Sequence, residues 1–265
     1  MFILKKIFIL LLSLSFTSSL MAQILNTDKT VSMDSSKKIQ SLVSISIATD
    51  QQKKSLVDLF YTGDFSFIKK NNITTFYSKI DKVTNGGISI QDVGTFQLKN
   101  NRILTNKLHL ETFVQTQWDG ALGMEYRNLV GLNLIHYFKN TQTEDFFWGG
   151  GIFIENEKWN WSAVNDPTLT NTTPIIVTHP KLNLTAKYSV LNPINNFEFI
   201  LRIFNQSGFY QNKFSNRTSV FNQIQLPISK RLATSLNIDF IYDTAPIVPI
   251  DHFHYNYYQT LSYSF

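Results

Sequence analysis

The chain has 265 residues, of which 43% are hydrophobic, 14% aromatic and 16% charged, with 11 Gly, 7 Pro and no Cys. That composition excludes collagen-like, disordered and disulfide-stapled chains, and the missing Cys excludes zinc-thiolate and Cys-nucleophile sites. The net charge of +5 contains no basic run beyond pairs such as Lys53-Lys54 and Lys69-Lys70, so nucleic acid is not an expected partner.

Residues 1–22 place Lys5 and Lys6 before an apolar run from Ile7 to Phe16 and end in Thr17-Ser18-Ser19-Leu20-Met21-Ala22. About ten apolar residues fall short of the roughly 20 a spanning helix needs. The segment reads as a secretory signal peptide cleaved after Ala22, with Ser19 as a second possible site. Cleavage removes two Lys and no acid, leaving 22 basic against 19 acidic residues, or +3. Residues 23–40 form a short polar periplasmic segment, and 41–265 are expected to form one domain. Without Cys there is no acceptor for a lipoprotein anchor.

The rest of the chain contains no run of about 18 apolar residues. Its recurring pattern has period 2, the signature of strands with one oily and one wet face. In 231–243, Leu232, Thr234, Leu236, Ile238, Phe240 and Tyr242 alternate with Ala233, Ser235, Asn237, Asp239 and Asp243. Residues 106–118, 123–138 and 181–190 repeat the alternation. Turn signals divide the chain into about twelve segments: 41–49, 55–69, 73–82, 87–99, 104–118, 123–138, 145–158, 178–190, 196–207, 215–228, 231–243 and 254–265. The breaks expected between them include Lys70-Asn71-Asn72, Thr84-Asn85-Gly86-Gly87, Lys99-Asn100-Asn101, Asn192-Pro193-Ile194-Asn195 and Ser229-Lys230-Arg231.

Alternating strands bury their apolar faces either against each other in a soluble sandwich or against lipid in an outer-membrane barrel. A tilted strand crosses a bilayer in about 9–11 residues, which these segments supply. Together with the signal peptide, their length favours a transmembrane antiparallel up-and-down β-barrel of about twelve strands. Its termini would be periplasmic, its turns there short and its external loops longer. The chain ends Leu261-Ser262-Tyr263-Ser264-Phe265. Leu261, Tyr263 and Phe265 resemble the C-terminal signal by which such barrels engage their assembly machinery.

With these strands in place, the sequence resembles the salt-induced outer membrane protein family (YdiY-like, domain-of-unknown-function family 481). The resemblance is carried by Pro227-Ile228-Ser229-Lys230-Arg231-Leu232-Ala233, by Ile241-Tyr242-Asp243-Thr244-Ala245-Pro246 and by the closing residues. Met124-Glu125-Tyr126-Arg127-Asn128-Leu129-Val130-Gly131-Leu132-Asn133 also looks like the family's middle strand. It covers roughly residues 40–265 and implies an outer-membrane barrel of undetermined role. The chain departs from the family in having few Gly in its first four strands and a long 159–177 region.

No nucleophile elbow, HExxH motif, phosphate loop or EF-hand loop is present, and no catalytic, cofactor or metal residues are assigned. His136 reads as a girdle residue and His109 as a polar partner of Glu111. His252 and His254, beside Asp251, are a weak metal motif. Trp118, Trp148, Trp159 and Trp161 fit interface belts. The remaining candidates are charges on the inward frames: Glu111, Glu125, Arg127, Glu198, Arg202 and Asp239. They could pair within a plugged lumen or bias a narrow pore. The expected partners are outer-membrane lipids and the barrel-assembly machinery, with the protein a monomer. The expected role is structural or passive small-solute passage, with a lipid-modifying hydrolase or a surface-binding barrel as alternatives.

Overall fold

The computed structural model describes residues 38–264 except 52–54, 142, 167, 169–171, 193–196, 211–212 and 230. The expected signal peptide, most of the polar segment 23–40, most of the Asn192–Asn195 turn and Phe265 of the assembly signal lie outside the described residues.

The described chain is all-β. Its strands are β1 (Ile39–Gln51), β2 (Ser55–Lys69), β3 (Asn72–Asn85), β4 (Ile88–Ile103), β5 (Leu108–Asp119) and β6 (Met124–Asn140). They continue with β7 (Glu144–Trp159), β8 (Ile175–Leu191), β9 (Glu198–Tyr210), β10 (Lys213–Pro227), β11 (Leu232–Asp243) and β12 (Phe253–Ser264). Each pairs antiparallel with the next in sequence, giving an up-and-down curled sheet. β12 also meets β1 through Leu42–Ser264, Val43–Tyr263 and Ser44–Ser262. The start of β1 and the end of β12 therefore share one rim, the termini rim, and the odd-to-even connections lie at the other, the loop rim.

Alternation puts side chains on opposite faces of each strand. Along β5 the inward frame is His109, Glu111, Phe113, Gln115, Gln117 and Asp119, while Leu110, Val114 and Trp118 point outward. In β11, Ser235, Asn237, Asp239, Ile241 and Asp243 are buried and Phe240 and Tyr242 are exposed. The buried face is thus largely polar and the exposed face largely apolar, the reverse of a water-soluble sandwich.

Turn chemistry explains the two-residue connection between β3 and β4. Gly86 and Gly87 both have positive φ (57° and 82°) between Asn85 and Ile88. A two-residue hairpin turn of this hand matches the twist of the flanking strands. The break expected at Lys99-Asn100-Asn101 is not there, because β4 runs on to Ile103. Asn100 stays in the ladder, donating its side-chain amide to Thr74 Oγ1 at 2.9 Å. The chain turns instead at 104–107, where Leu104 and Thr105 donate to the Leu108 carbonyl.

The β7–β8 hairpin stands above its neighbour at the loop rim. Ile175–Pro180 pair with β7, whereas the β8–β9 ladder begins only at Lys181–Gly208. Pro180 therefore sits on a stretch of edge strand, where a missing N–H leaves no ladder bond unmade.

Candidate functional site: the filled interior

The inward frame of β7 runs, from the termini rim to the loop rim, through Asp145, Phe147, Gly149, Gly151, Phe153, Glu155, Glu157 and Trp159. It is a transect of the interior. Near the termini rim, Lys187 on β8 reaches Asp145 (3.0 Å), and the Arg202 guanidinium on β9 lies over the Phe147 and Phe204 rings at 5.5 and 4.8 Å.

At mid-height polar side chains from four strands form a row that spans β4 to β8. Lys99 pairs with Glu111 at 3.5 Å, Asn133 donates to Glu111 Oε1 at 2.8 Å, and Asn183 donates to Asn133 Oδ1 at 3.0 Å. The last bond joins β6 to β8 over Gly151 of β7, which stands in register with both asparagines. A Cβ on Gly151 would lie 1.9 Å from the Leu132 carbonyl oxygen and 2.4 Å from Asn133 Oδ1, so only glycine permits this crossing. The void left among Gln97, Lys99, Glu111, Gln115, Asn133, Arg202 and Gln206 measures about 30 Å³, on the scale of one water molecule.

Towards the loop rim lies a lattice of buried charges. Arg127 on β6 contacts Glu155, reaches Glu157 at 3.0 Å and donates to Gln206 Oε1 on β9 at 2.8 Å. Lys181 Nζ and His179 Nε2 on β8 lie 2.5 and 3.1 Å from Glu155 Oε2. Arg217 on β10 reaches Glu157 at 3.2 Å across the interior and Asp243 on β11 at 2.8 Å. Arg127, Lys181 and Arg217 balance Glu155, Glu157 and Asp243, which is the arrangement that buried charges require. Six consecutive strands are fastened by these contacts.

An apolar cap closes over the lattice at the loop rim. Leu122, Met124, Trp159 and Val248 are buried together, with Trp161, Val164, Ile175, Ile247 and Ile250 packed against them. They come from the β5–β6 connection, the ends of β6 and β7, the start of β8, and the long loops before β8 and β12. Trp161 donates its indole N–H to the Thr173 carbonyl at 2.9 Å, which folds the 160–174 loop back on itself. In the same loop, Thr168 donates both its amide and its hydroxyl to Asp166 (2.8 and 2.7 Å). These bonds hold that carboxyl below the usual carboxylate range. The cap excludes water from the charges beneath it, and lower local polarity strengthens their attraction.

The sequence candidates divide accordingly. Glu111, Arg127, Arg202 and Asp239 are buried on inward frames, Arg127 and Asp239 at 0% and 3% exposure. Glu198 is half-buried at the termini rim on the same frame as Arg202. Glu125 is different: the register shifts between Met124 and Tyr126, so Met124 turns inward and Glu125 outward. There Glu125 is exposed and pairs with Lys158 at 2.6 Å.

Trp159, expected in a belt, is buried in the cap because it continues the unbroken inward frame of β7. Trp118 does face outward, resting on Gly94 and donating to Asp92 Oδ1 at 2.7 Å. Trp148 is exposed beside Phe146, near a termini-rim cluster in which Phe138 and Phe146 stack at 5.1 Å. His136 packs its ring on Phe138 and His109 on Tyr137. His252 bonds the Asp243 carbonyl at 2.6 Å, and among the described residues no three metal-ligating side chains converge.

Sequence reasoning missed Glu155, Glu157, Lys181 and Arg217 as a group. Each lies on an inward frame that period 2 would have found; their meeting across the interior is not written in any local pattern.

The fold and site together define a curled up-and-down β-sheet with a polar, side-chain-filled interior and an apolar exterior. Neither a family model nor a curated protein matches the chain. Among solved structures it is similar to the β domain of the Bordetella autotransporter Brka at 9% identity. That match covers 86% of this chain and 99% of that one, with a TM-score of 0.43. It is also similar to the NanC porin (10% identity, 84% and 98% coverage, TM-score 0.43). A third likeness is to a bacterial polysaccharide outer membrane secretin (8% identity, 86% and 97% coverage, TM-score 0.44).

Proposed function

We propose that the protein is a twelve-stranded outer-membrane β-barrel whose role in the envelope is structural rather than conductive. Three features support the membrane reading. The exterior is apolar, and it is flanked by aromatic side chains at both rims: Phe138, Phe146 and Tyr188 at one, Phe240, Tyr242, Phe253 and Tyr255 at the other. Inside, polar side chains of neighbouring strands pair with one another, as in Lys99–Glu111 and Gln97–Gln115. The termini rim would then be periplasmic and the capped loop rim external. Leu261 and Tyr263, exposed on β12, are available to assembly machinery.

The observation that carries the structural role is Arg217 reaching from β10 to Glu157 on β7. Side chains that bridge strands not adjacent in the sheet occupy the space a conduit would need. The test is planar-bilayer recording on the refolded protein, with a heat-modifiable gel shift as the folding control. Folded protein without discrete conductance steps is the expected result. Steps that persist at low voltage would replace the structural role with passive small-solute passage.

A further inference from the structure

Every neighbouring pair of strands but one is laddered along most of its length. β1 pairs with β2 from Ile39–Phe67 to Gln51–Ser55, and β11 with β12 from Leu232–Tyr263 to Tyr242–Phe253. Between β1 and β12, the ladder among the described residues consists of Leu42–Ser264, Val43–Tyr263 and Ser44–Ser262. It lies at the termini rim. Above it, positions 45–51 of β1 and Phe253–Leu261 of β12 are laddered on one side only.

The two edges match. Continued without a shift, the same register sets positions 45, 47 and 49 opposite Leu261, Gln259 and Tyr257, on the outward frame of Val43 and Tyr263. Alternate residues of each edge turn their N–H and C=O groups to the gap. Lipid offers those groups no partner, so at membrane depth they either meet one another or draw water in from the loop rim.

Inside, a contact spans the gap. The Tyr258 ring of β12 packs on the Phe60 ring of β2 at 5.7 Å, reaching over β1. The Lys79 ammonium on β3 lies 5.2 Å from the Tyr258 centroid and 5.4 Å from that of Phe60, a cation shared by two rings. Phe60 pairs with position 46 and so stands beside the stretch of β1 that β12 leaves unladdered. The backbone edges are thus parted while side chains keep them aligned.

We propose that the β1–β12 seam is a lateral gate. Its termini-rim end stays zipped, its loop-rim half parts and re-pairs in register, and the Tyr258–Phe60–Lys79 cluster is the latch that limits the parting. The parted state joins the interior sideways to the outer half of the bilayer, with no conduit along the axis. Any other neighbouring pair must break a ladder of nearly strand length to do the same. The inference rests on the membrane reading above.

The chain has no Cys, so introduced pairs report without background. Val43→Cys with Tyr263→Cys tests the ladder, and Thr49→Cys with Tyr257→Cys tests the gap; both lie on the outward frame, where all rungs are of one hydrogen-bonding class. Protein refolded into phosphatidylcholine vesicles, with the heat-modifiable gel shift read on reduced samples, is oxidised with copper phenanthroline and scored on non-reducing gels. The lower pair should crosslink within the chain promptly. The upper pair should reach the same extent about tenfold more slowly, equivalent to roughly 1.4 kcal/mol in favour of the parted seam. Tyr258→Ala should slow the upper pair further and leave the lower pair unchanged, and Phe60→Leu serves if that variant loses the gel shift. Equal rates for the two pairs overturn the gate, as does failure of either pair to crosslink within the chain. Disulfide-linked dimers through the upper pair assign the edges to a second copy and overturn it too, and an upper rate indifferent to the latch variants removes the latch. Equal rates in vesicle-inserted protein defeat this inference alone, whereas a chain that stays soluble without detergent defeats the membrane reading as well.

Discussion

Between β6 and β11 the interior is crossed by a lattice of ion pairs; across β2–β5 and β10–β12 the contacts are mostly hydrogen bonds between uncharged groups, with the Lys99–Glu111 pair the charged contact described above. On the second side Ser66 and Thr75 share a hydrogen bond at 2.9 Å, and Gln97 donates to Gln115, which donates to Gln117 (2.9 and 2.6 Å). Gln223 donates to Asn237 at 2.9 Å, and Ser235 meets Thr260 at 2.6 Å. Lys79, a buried cation there, lies over the Phe60 and Tyr258 rings at 5.4 and 5.2 Å. Both regions pair buried polar side chains, but the loss of one partner is far more damaging in the first. A neutral bond contributes about 0.5–1.5 kcal/mol net, whereas stranding a buried charge costs about 3–5 kcal/mol.

The largest effect is therefore expected from Arg127→Met, which leaves Glu155 and Glu157 short of a cation. We expect a loss of about 3–5 kcal/mol in urea unfolding from phospholipid vesicles. A loss no greater than that of an amide change on the other side would erase the distinction. Gly151→Val comes next. Its side chain would collide with the Leu132 carbonyl and part Asn133 from Asn183, costing about 1–3 kcal/mol, and tryptophan fluorescence melts would show it as an earlier transition. Gln115→Leu, in the neutral region, should cost about 1 kcal/mol by the same melts. Glu125→Gln should be silent in every stability measurement, since its partner Lys158 is on the exposed face; a clear loss would return Glu125 to the interior.

Much of this comparison was open to reading in the amino-acid order. Period 2 along 106–118, 181–190 and 231–243 identifies the inward frames of β5, β8 and β11 residue by residue, and Gly86-Gly87 marks its turn. The frame fails where the backbone slips. One extra residue at Glu125 moves Met124 and Glu125 to the faces opposite those the alternation assigns them. Asn100-Asn101 has the chemistry of a turn, yet ladder bonds on both sides and the Thr74 hydroxyl keep it extended. The lattice was illegible for another reason: local pattern says which way Arg217 and Glu157 point and nothing of how far apart β10 and β7 stand.

The lattice also sets an order of events. Arg127 and Gln206 are 79 residues apart in the chain, and Arg217 and Glu157 are 60 apart. Contacts of such separation form late, after the intervening loops have been closed. While β7 to β10 assemble hairpin by hairpin, Arg127 and Lys181 on the strands flanking β7 can already pair with Glu155 and Glu157, but the Arg217 partner of Glu157 is still missing. Arg217 supplies the last cation of the lattice, so a sheet arrested before β10 is added is expected to be more easily digested. Protease resistance should rise abruptly, rather than strand by strand, once β10 is in place.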